Sequence, residues 1–160
     1  MKNIKNADII GNFPRASFNL INTDLKVKND IIPGKLAIGI GKEFSEVEKI
    51  KDEFQVMITI NLVGLKDIEN IQKSNEDVLP TDDNTFFELD ITYKVILKKT
   101  EGIINNIKRE KLDNDIVLKD FAWFLIYPTI KDSINYILNK VGIPNINIPY
   151  DIKTGDVDAD

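Results

Sequence analysis

The sequence contains no histidine and no cysteine among its 160 residues. The absence of cysteine excludes disulfides, thiolate nucleophiles and zinc sites with thiolate ligands. The absence of histidine removes the commonest general base and the commonest metal ligand, so a serine–histidine–aspartate triad and most transition-metal sites are excluded as well. We therefore expect no catalytic residue, no metal site and no cofactor, and a protein that is not an enzyme.

A basic surface and a membrane-spanning run are also lacking. The chain has 21 Lys and Arg against 26 Asp and Glu, a formal net charge of −5, which argues against nucleic acid as a partner. The most apolar ten-residue run is FAWFLIYPTI at 121–130, which is shorter than the about 20 residues of a membrane helix. The N-terminus does not have the features of a secretory signal. We expect one cytoplasmic domain without membrane insertion.

Four stretches alternate between apolar and polar residues, which predicts strands with one buried face. They are residues 17–21, 35–41, 54–62 and 87–97. Residues 43–54, which precede the third stretch, fit a short amphipathic helical turn. Residues 66–85 are polar and contain Pro80, which predicts a loop.

From Asp115 the spacing of apolar residues changes from two to about 3.6, which predicts a long helix that ends near Gly142. Pro128 predicts a kink or a split in it. Because the strands precede the helix, the expected class is α+β: a four-stranded antiparallel sheet with one long C-terminal helix packed on it.

The first half of this helix, around Trp123, is apolar on nearly all sides and must be covered on more than one of them. The sheet can cover one side. For the other side we predict a subunit interface or a site for another polypeptide. Ordinary burial in the core is the alternative.

Five segments, taken in order, resemble the strands and last helix of the SecB protein-export chaperones. They are SFNL (17–20), IIPGKLAIGIG (31–41), DEFQVMITINLVG (52–64), FELDI (87–91) and the stretch from FAWFLIYP to IPYDI (121–152). Tyr127 and Pro128 stand at the family's Phe-Pro-Tyr-Ala-Arg-type motif, and residues 142–149 follow its Gly-Phe-Pro-Pro-x-x-Leu-x-Pro stretch. The resemblance implies an N-terminal extension (1–12), a SecB-like domain (13–152) and an acidic tail (153–160).

The resemblance implies an ATP-independent holdase that forms a homo-oligomer, a dimer of dimers in which helices of different subunits pair. Clients would lie between the helix and the connection at 23–35. The implied client-binding residues are Ile31, Ile32, Trp123, Phe124, Tyr127 and Ile143. The implied subunit interface consists of Ile130, Ile134, Ile137 and Val141. Asp90 stands at an acidic position of the fourth strand, where the resemblance implies docking of the SecA motor.

The sequence departs from the family at two positions that matter for the export role. Arg15 and Asn19 flank Ser17 and Phe18 where the family has acidic residues that help to dock the motor. One alternative is therefore a SecB-like chaperone dedicated to a single client, such as an antitoxin. The other is an interaction protein of a phage or plasmid that binds one folded host protein.

Overall fold

The computed structural model describes residues 15–28, 36–66, 81, 83–98 and 114–152. These residues form an antiparallel sheet and one long helix. The elements are β1 (Arg15–Val27), β2 (Ala37–Phe44), β3 (Glu48–Ile50), β4 (Glu53–Leu65), β5 (Thr85–Lys98) and α1 (Asp115–Lys140). The strand order is β1-β5-β4-β2, and β3 also pairs with β4. The predicted α+β class, with a C-terminal helix on an antiparallel sheet, is confirmed.

One edge of the sheet is divided between β2 and β3. The strand β2 pairs with residues 58–65 of β4 and β3 with residues 53–55. Ser45 bridges the break, because its N–H donates to the Met57 carbonyl (2.9 Å) and its Oγ accepts from the Met57 N–H (2.9 Å). The sheet is thus four strands wide, as predicted, but residues 48–50 form a strand where we predicted a helical turn. The unpaired edge of β4 offers them backbone partners, and Lys51, with φ 54°, closes the turn into β4.

The core lies between α1 and one face of the sheet. Alternate residues of the central strands are buried there: Phe54, Val56, Ile58, Ile60 and Leu62 of β4, and Phe87, Leu89, Ile91, Tyr93, Val95 and Leu97 of β5. The buried residues of α1 are Leu118, Phe121, Ala122, Trp123, Ile126, Ile130, Ile134 and Leu138. The opposite face of the sheet is mostly polar, with Met57, Val63 and Ile96 among the exceptions. The Thr59 and Thr92 hydroxyls share a hydrogen bond there (2.9 Å).

The helix crosses the sheet from one edge to the other. At its start, Asp115 forms an ion pair with Lys49 of β3 (3.3 Å). Near its end, the Ser133 hydroxyl shares a hydrogen bond with the Tyr93 hydroxyl of β5 (2.7 Å), and Ile137 faces Thr23 of β1 across a groove. Because β3 and β1 lie at opposite edges, α1 runs across the strands rather than along one of them.

The ends of α1 are set by local residues, and the helix is continuous through Pro128. Its N-cap is Asn114, whose Oδ1 accepts from the N–H groups of Ile116 (2.9 Å) and Val117 (3.4 Å). Past its end, Gly142 adopts the left-handed φ of 80°, which is typical of a helix C-terminus. The prediction was a kink or a split near Pro128, and the helix is not split there. Pro128 is exposed, so a carbonyl that loses its donor there can bind water.

Gly64 is required by a close approach to Phe87. A Cβ on Gly64 would lie 2.2 Å from an atom of the Phe87 ring, whereas a Cβ on Gly39 would meet only the Val63 carbonyl oxygen at 3.9 Å. We expect Gly64→Ala to lower the free energy of unfolding by about 1–3 kcal/mol through overpacking. Gly39→Ala is the matched control and should change it by less than about 1 kcal/mol. Urea unfolding measures both, and equal effects would contradict the role assigned to Gly64.

Candidate functional site

The two flanks of α1 have different surroundings. Ser133 and Asn135 are the neighbours of the fully buried Ile134, and successive helical residues point about 100° apart, so the two side chains lie on opposite flanks. On the Asn135 flank lies an extended segment of the chain, residues 143–152, which we call the strap. The Ser133 flank borders a groove that none of the described residues fills, which we call the open groove.

The strap runs back along α1 and is held by side chains of the helix. Three hydrogen bonds join helix side chains to strap backbone atoms: Trp123 Nε1 to the Tyr150 carbonyl (3.0 Å), Tyr127 Oη to the Ile148 carbonyl (2.6 Å), and the Ile146 N–H to Asn135 Oδ1 (2.8 Å). Asn139 adds a bond to the side chain of Asn145 (2.8 Å). The hydrogen bonds between the strap and α1 are therefore made largely by the backbone of the strap.

The strap also covers the aromatic part of α1. Its isoleucines Ile143, Ile148 and Ile152 are buried. The ring of Tyr150 lies 6.1 Å from that of Trp123 and 5.1 Å from that of Tyr127, measured between centroids. Trp123 is consequently only 3% exposed within a single chain. This corrects our expectation that Trp123 needs a neighbouring chain to cover it.

Lys42 of β2 lies near Asp151, at the C-terminal end of the strap. Its side chain lies on the helix side of the sheet and is 8% exposed, with Nζ 4.5 Å from the centroid of the Trp123 ring and 5.3 Å from that of Phe44. Burial lowers the pKa of Lys42, while the nearby carboxylates of Asp120 and Asp151 act in the opposite direction. Burial also raises the pKa of the Tyr150 hydroxyl, and the same two carboxylates raise it further.

The open groove lies between β1 and the second half of α1 and has a volume of about 450 Å³. It is lined by Leu20, Thr23, Ile91, Tyr93, Asp132, Ser133, Tyr136 and Ile137. The hydrogen-bonded hydroxyls of Tyr93 and Ser133 belong to this lining. Leu20 is 55% exposed and Tyr136 64% exposed, so large apolar side chains stand open to solvent on both sides.

The strand β1 extends this apolar surface along the edge of the sheet. Phe18, Leu20 and Val27 pair with Val95, Tyr93 and Phe87 of β5, and therefore lie on the helix side of the sheet. All three are exposed, because α1 covers little of this edge. Among the described residues, no strand pairs with the outer side of β1. An apolar surface thus adjoins a strand whose outer backbone groups can accept another extended chain.

The predicted client-binding residues do not line the open groove. Trp123 and Ile143 are buried, Tyr127 is half-buried under the strap, and Phe124 is exposed beside Phe121. Ile31 and Ile32 lie outside the described residues. The surface that is open in this conformation contains Leu20 and Tyr136 instead. The alternation of residues 17–21 indicated the face of Leu20, but the path of the helix, which leaves Leu20 uncovered, has no local signal in the sequence.

Half of the predicted subunit interface is core. Ile130 and Ile134 are fully buried between α1 and the sheet, which corrects the prediction for these two residues, because they have no surface to offer another chain. Ile137 and Val141 are half-buried, and for them an interface role stays a prediction. Asp90 lies half-buried on the polar face of the sheet and accepts a hydrogen bond from Asn61 Nδ2 (2.8 Å).

Comparison with known proteins bears on the fold. No protein-family model matches the sequence, and no curated protein matches it. Among solved structures, the SecB-like chaperone Rv1957 of Mycobacterium tuberculosis, in complex with a ChAD peptide from the Rv1956 HigA1 antitoxin, is similar with a TM-score of 0.58. The match covers 90% of this chain and 93% of that chain at 14% sequence identity. The fold is SecB-like.

Two further findings concern the described residues of this SecB-like fold. No helix in them is long and apolar enough to cross a membrane. No group of three or more acidic side chains in the described ranges lies close enough together to hold a metal ion.

The lowered pKa of Lys42 predicts a pH dependence of stability. The folded state releases the Lys42 proton at a lower pH than the unfolded state, so the unfolded state binds more protons below the ordinary lysine value, and stability rises with pH there. We therefore expect the stability of the wild type, relative to Lys42→Met, to increase as the pH approaches the ordinary lysine pKa from below. Urea unfolding of both proteins measures this difference. A difference that is constant or falls over this range would show that burial does not disfavour the ammonium.

Proposed function

We propose that this protein is an ATP-independent chaperone that binds an unfolded polypeptide in the open groove and along β1. The observation that supports it is the exposed apolar surface of Leu20 and Tyr136 beside the outer edge of β1. A client segment in extended conformation can pair with the backbone of β1 and place alternate side chains in the groove. The formal net charge of −5 helps to keep such a surface soluble while it is empty.

The groove fits a broad class of client segments. Most of its contacts would be apolar, and the backbone bonds to β1 would not depend on the client sequence. Asp132 at the groove adds a negative charge, and the Tyr93 and Ser133 hydroxyls add polar contacts. The clients we propose are therefore extended segments with alternating apolar residues.

A chaperone dedicated to one client is the second candidate. The SecB-like chaperone Rv1957 was solved with a peptide from an antitoxin, and Arg15 and Asn19 depart from the acidic positions that the motor contacts in SecB. Docking of the SecA motor near Asp90 remains a proposal. Aggregation assays with several unrelated unfolded proteins separate the candidates: a general holdase protects most of them, and a dedicated chaperone protects one. An interaction protein that binds a folded host protein protects none.

We also propose that the chain assembles as a homo-oligomer, with Val141, which is half-buried in the single chain, at a contact between subunits. Ile137, the other residue left from the predicted interface, lines the open groove and is assigned to the client. Size-exclusion chromatography with light scattering measures the assembly, and a stable monomer at micromolar concentration would contradict it.

Tyr136→Ala tests the open groove. Tyr136 is an exposed aromatic residue on a helix, where alanine is well tolerated, and aromatic residues supply a large share of binding energy at interfaces. We expect the variant to need an about tenfold higher concentration for the same suppression of aggregation, since about 1.4 kcal/mol of binding energy corresponds to a factor of ten.

Two matched variants on the same helix serve as controls. Ile116→Ala removes an apolar side chain that is 71% exposed at the opposite end of α1, and it should leave the protection unchanged. Phe124→Ala changes a residue that the sequence predicted to bind clients. Equal losses in Ile116→Ala and Tyr136→Ala would rule out the open groove as the site, and a loss only in Phe124→Ala would move the site to the Trp123 region.

A further inference from the structure

The contacts between α1 and the strap resemble the recognition of a bound peptide. Trp123 and Tyr127 donate hydrogen bonds to strap carbonyls, and Asn135 accepts one from a strap N–H. These backbone groups are present in any polypeptide, so the helix holds the strap without reading most of its sequence. The same helix side chains can hold any extended segment that has suitable apolar residues.

The strap has the character of an extended ligand. Residues 143–152 form neither helix nor strand. Pro144 and Pro149 favour an extended backbone and cannot donate hydrogen bonds. Ile148 and Ile152, four residues apart, are the two buried anchors of its second half. A segment of this kind binds through two aliphatic side chains and its backbone.

Release of the strap would leave the rest of the fold in place. The ladder of the sheet and the backbone bonds of α1 do not include the strap, so residues 144–152 can detach as a local unit. Release would expose the rings of Trp123 and Tyr127, and such a surface is unfavourable in water unless another chain covers it. Exchange with an incoming segment is therefore favoured over simple opening.

We propose that the strap is a built-in occupant of a second polypeptide-binding surface, formed by Trp123, Tyr127 and Asn135, and that an extended client segment with two aliphatic residues four apart replaces it. This proposal rests on the proposed chaperone function and adds a second surface to the open groove. The strap competes with the client for this surface. The apparent affinity of the client is therefore its intrinsic affinity multiplied by the fraction of molecules in which the strap is released.

Substitutions on the two sides of this contact have opposite expected effects. A change in α1 weakens the binding of the strap and the binding of the client alike, because both contact the same helix side chains. A change in the strap weakens only the binding of the strap to α1 and leaves the helix surface intact for the client. Ile152→Ala is therefore expected to increase client binding, although it removes an apolar side chain.

The test uses the full chain and a fluorescein-labelled peptide with the sequence of residues 143–152, IPNINIPYDI. We expect the peptide to bind Ile152→Ala at least about tenfold more tightly than the wild type, since truncation of a buried isoleucine strongly weakens the strap. Ile116→Ala, the control, should bind it like the wild type. Reduced and alkylated ribonuclease A, a permanently unfolded client, should release the labelled peptide.

Three further variants establish where the peptide binds. In the Ile152→Ala background, Tyr127→Phe removes the hydroxyl that donates to the Ile148 carbonyl and should weaken peptide binding severalfold. The peptide also has alternating apolar residues that suit the open groove, so Tyr136→Ala is added to remove binding there. The weakening caused by Tyr127→Phe should persist in that background. If Ile152→Ala does not fold, Pro149→Gly loosens the strap at an exposed position and should tighten peptide binding to a smaller degree.

Two results would overturn the proposal: equal peptide affinity in the wild type and the strap variants, or peptide that stays bound in the presence of excess unfolded ribonuclease A. Either can occur while Tyr136→Ala still weakens protection in aggregation assays, which would leave the open groove as the client site. Conversely, if the wild-type protein does not suppress aggregation of any client, the chaperone function is refuted. Binding of the labelled peptide to α1 can still be measured in that case.

Discussion

The packing of a single helix across the sheet determines the rest of this structure. A helix with its side chains is about 10 Å wide, whereas β1 and β5 have 13 and 14 residues and extend for about 45 Å. A helix that crosses such strands covers only a band of the sheet. Apolar residues on either side of this band need another cover or stay exposed.

The apolar residues beside this band are covered on one flank of α1 and exposed on the other. On one flank the strap returns along the helix and buries Ile143, Ile148 and Ile152. On the other flank nothing in the described part of the chain fills the groove between Leu20 and Tyr136. The same helix thus combines a surface that the chain occupies itself with one that is open to a partner, and this asymmetry underlies both functional proposals.

The elements with strong periodic patterns were predictable from the sequence. The alternation in residues 54–62 and 87–97 corresponds to β4 and β5, whose buried residues follow a period of two, and the apolar stripe after Asp115 corresponds to α1. These patterns are local consequences of burying one face. The short strand β3 was missed because its pairing depends on the unpaired edge of β4, which only exists once the sheet has formed.

The environment of Trp123 was not predictable for a similar reason. Its cover comes from a segment that forms neither helix nor strand, positioned by side-chain bonds to its backbone. Lys42 was missed as well, although it lies at an apolar position of the alternation in β2, where a lysine is unusual. A lysine at an apolar position was the only sign of this contact in the sequence. The contact itself is with the ring of Trp123, 4.5 Å away in space but distant in the chain.

The distribution of polar groups bears on whether the protein serves many clients or one. The hydrogen bonds of Trp123, Tyr127 and Asn135 to a bound backbone tolerate many sequences, because every residue carries a carbonyl and every residue except proline carries an N–H. Specificity requires polar groups that a wrong client would leave unpaired. In the open groove such groups are Asp132 and the hydroxyls of Tyr93 and Ser133, and these hydroxyls already satisfy each other (2.7 Å). A client therefore loses little by lacking a partner for them, so discrimination by this groove has to come chiefly from the shape between Leu20 and Tyr136 and from the charge of Asp132.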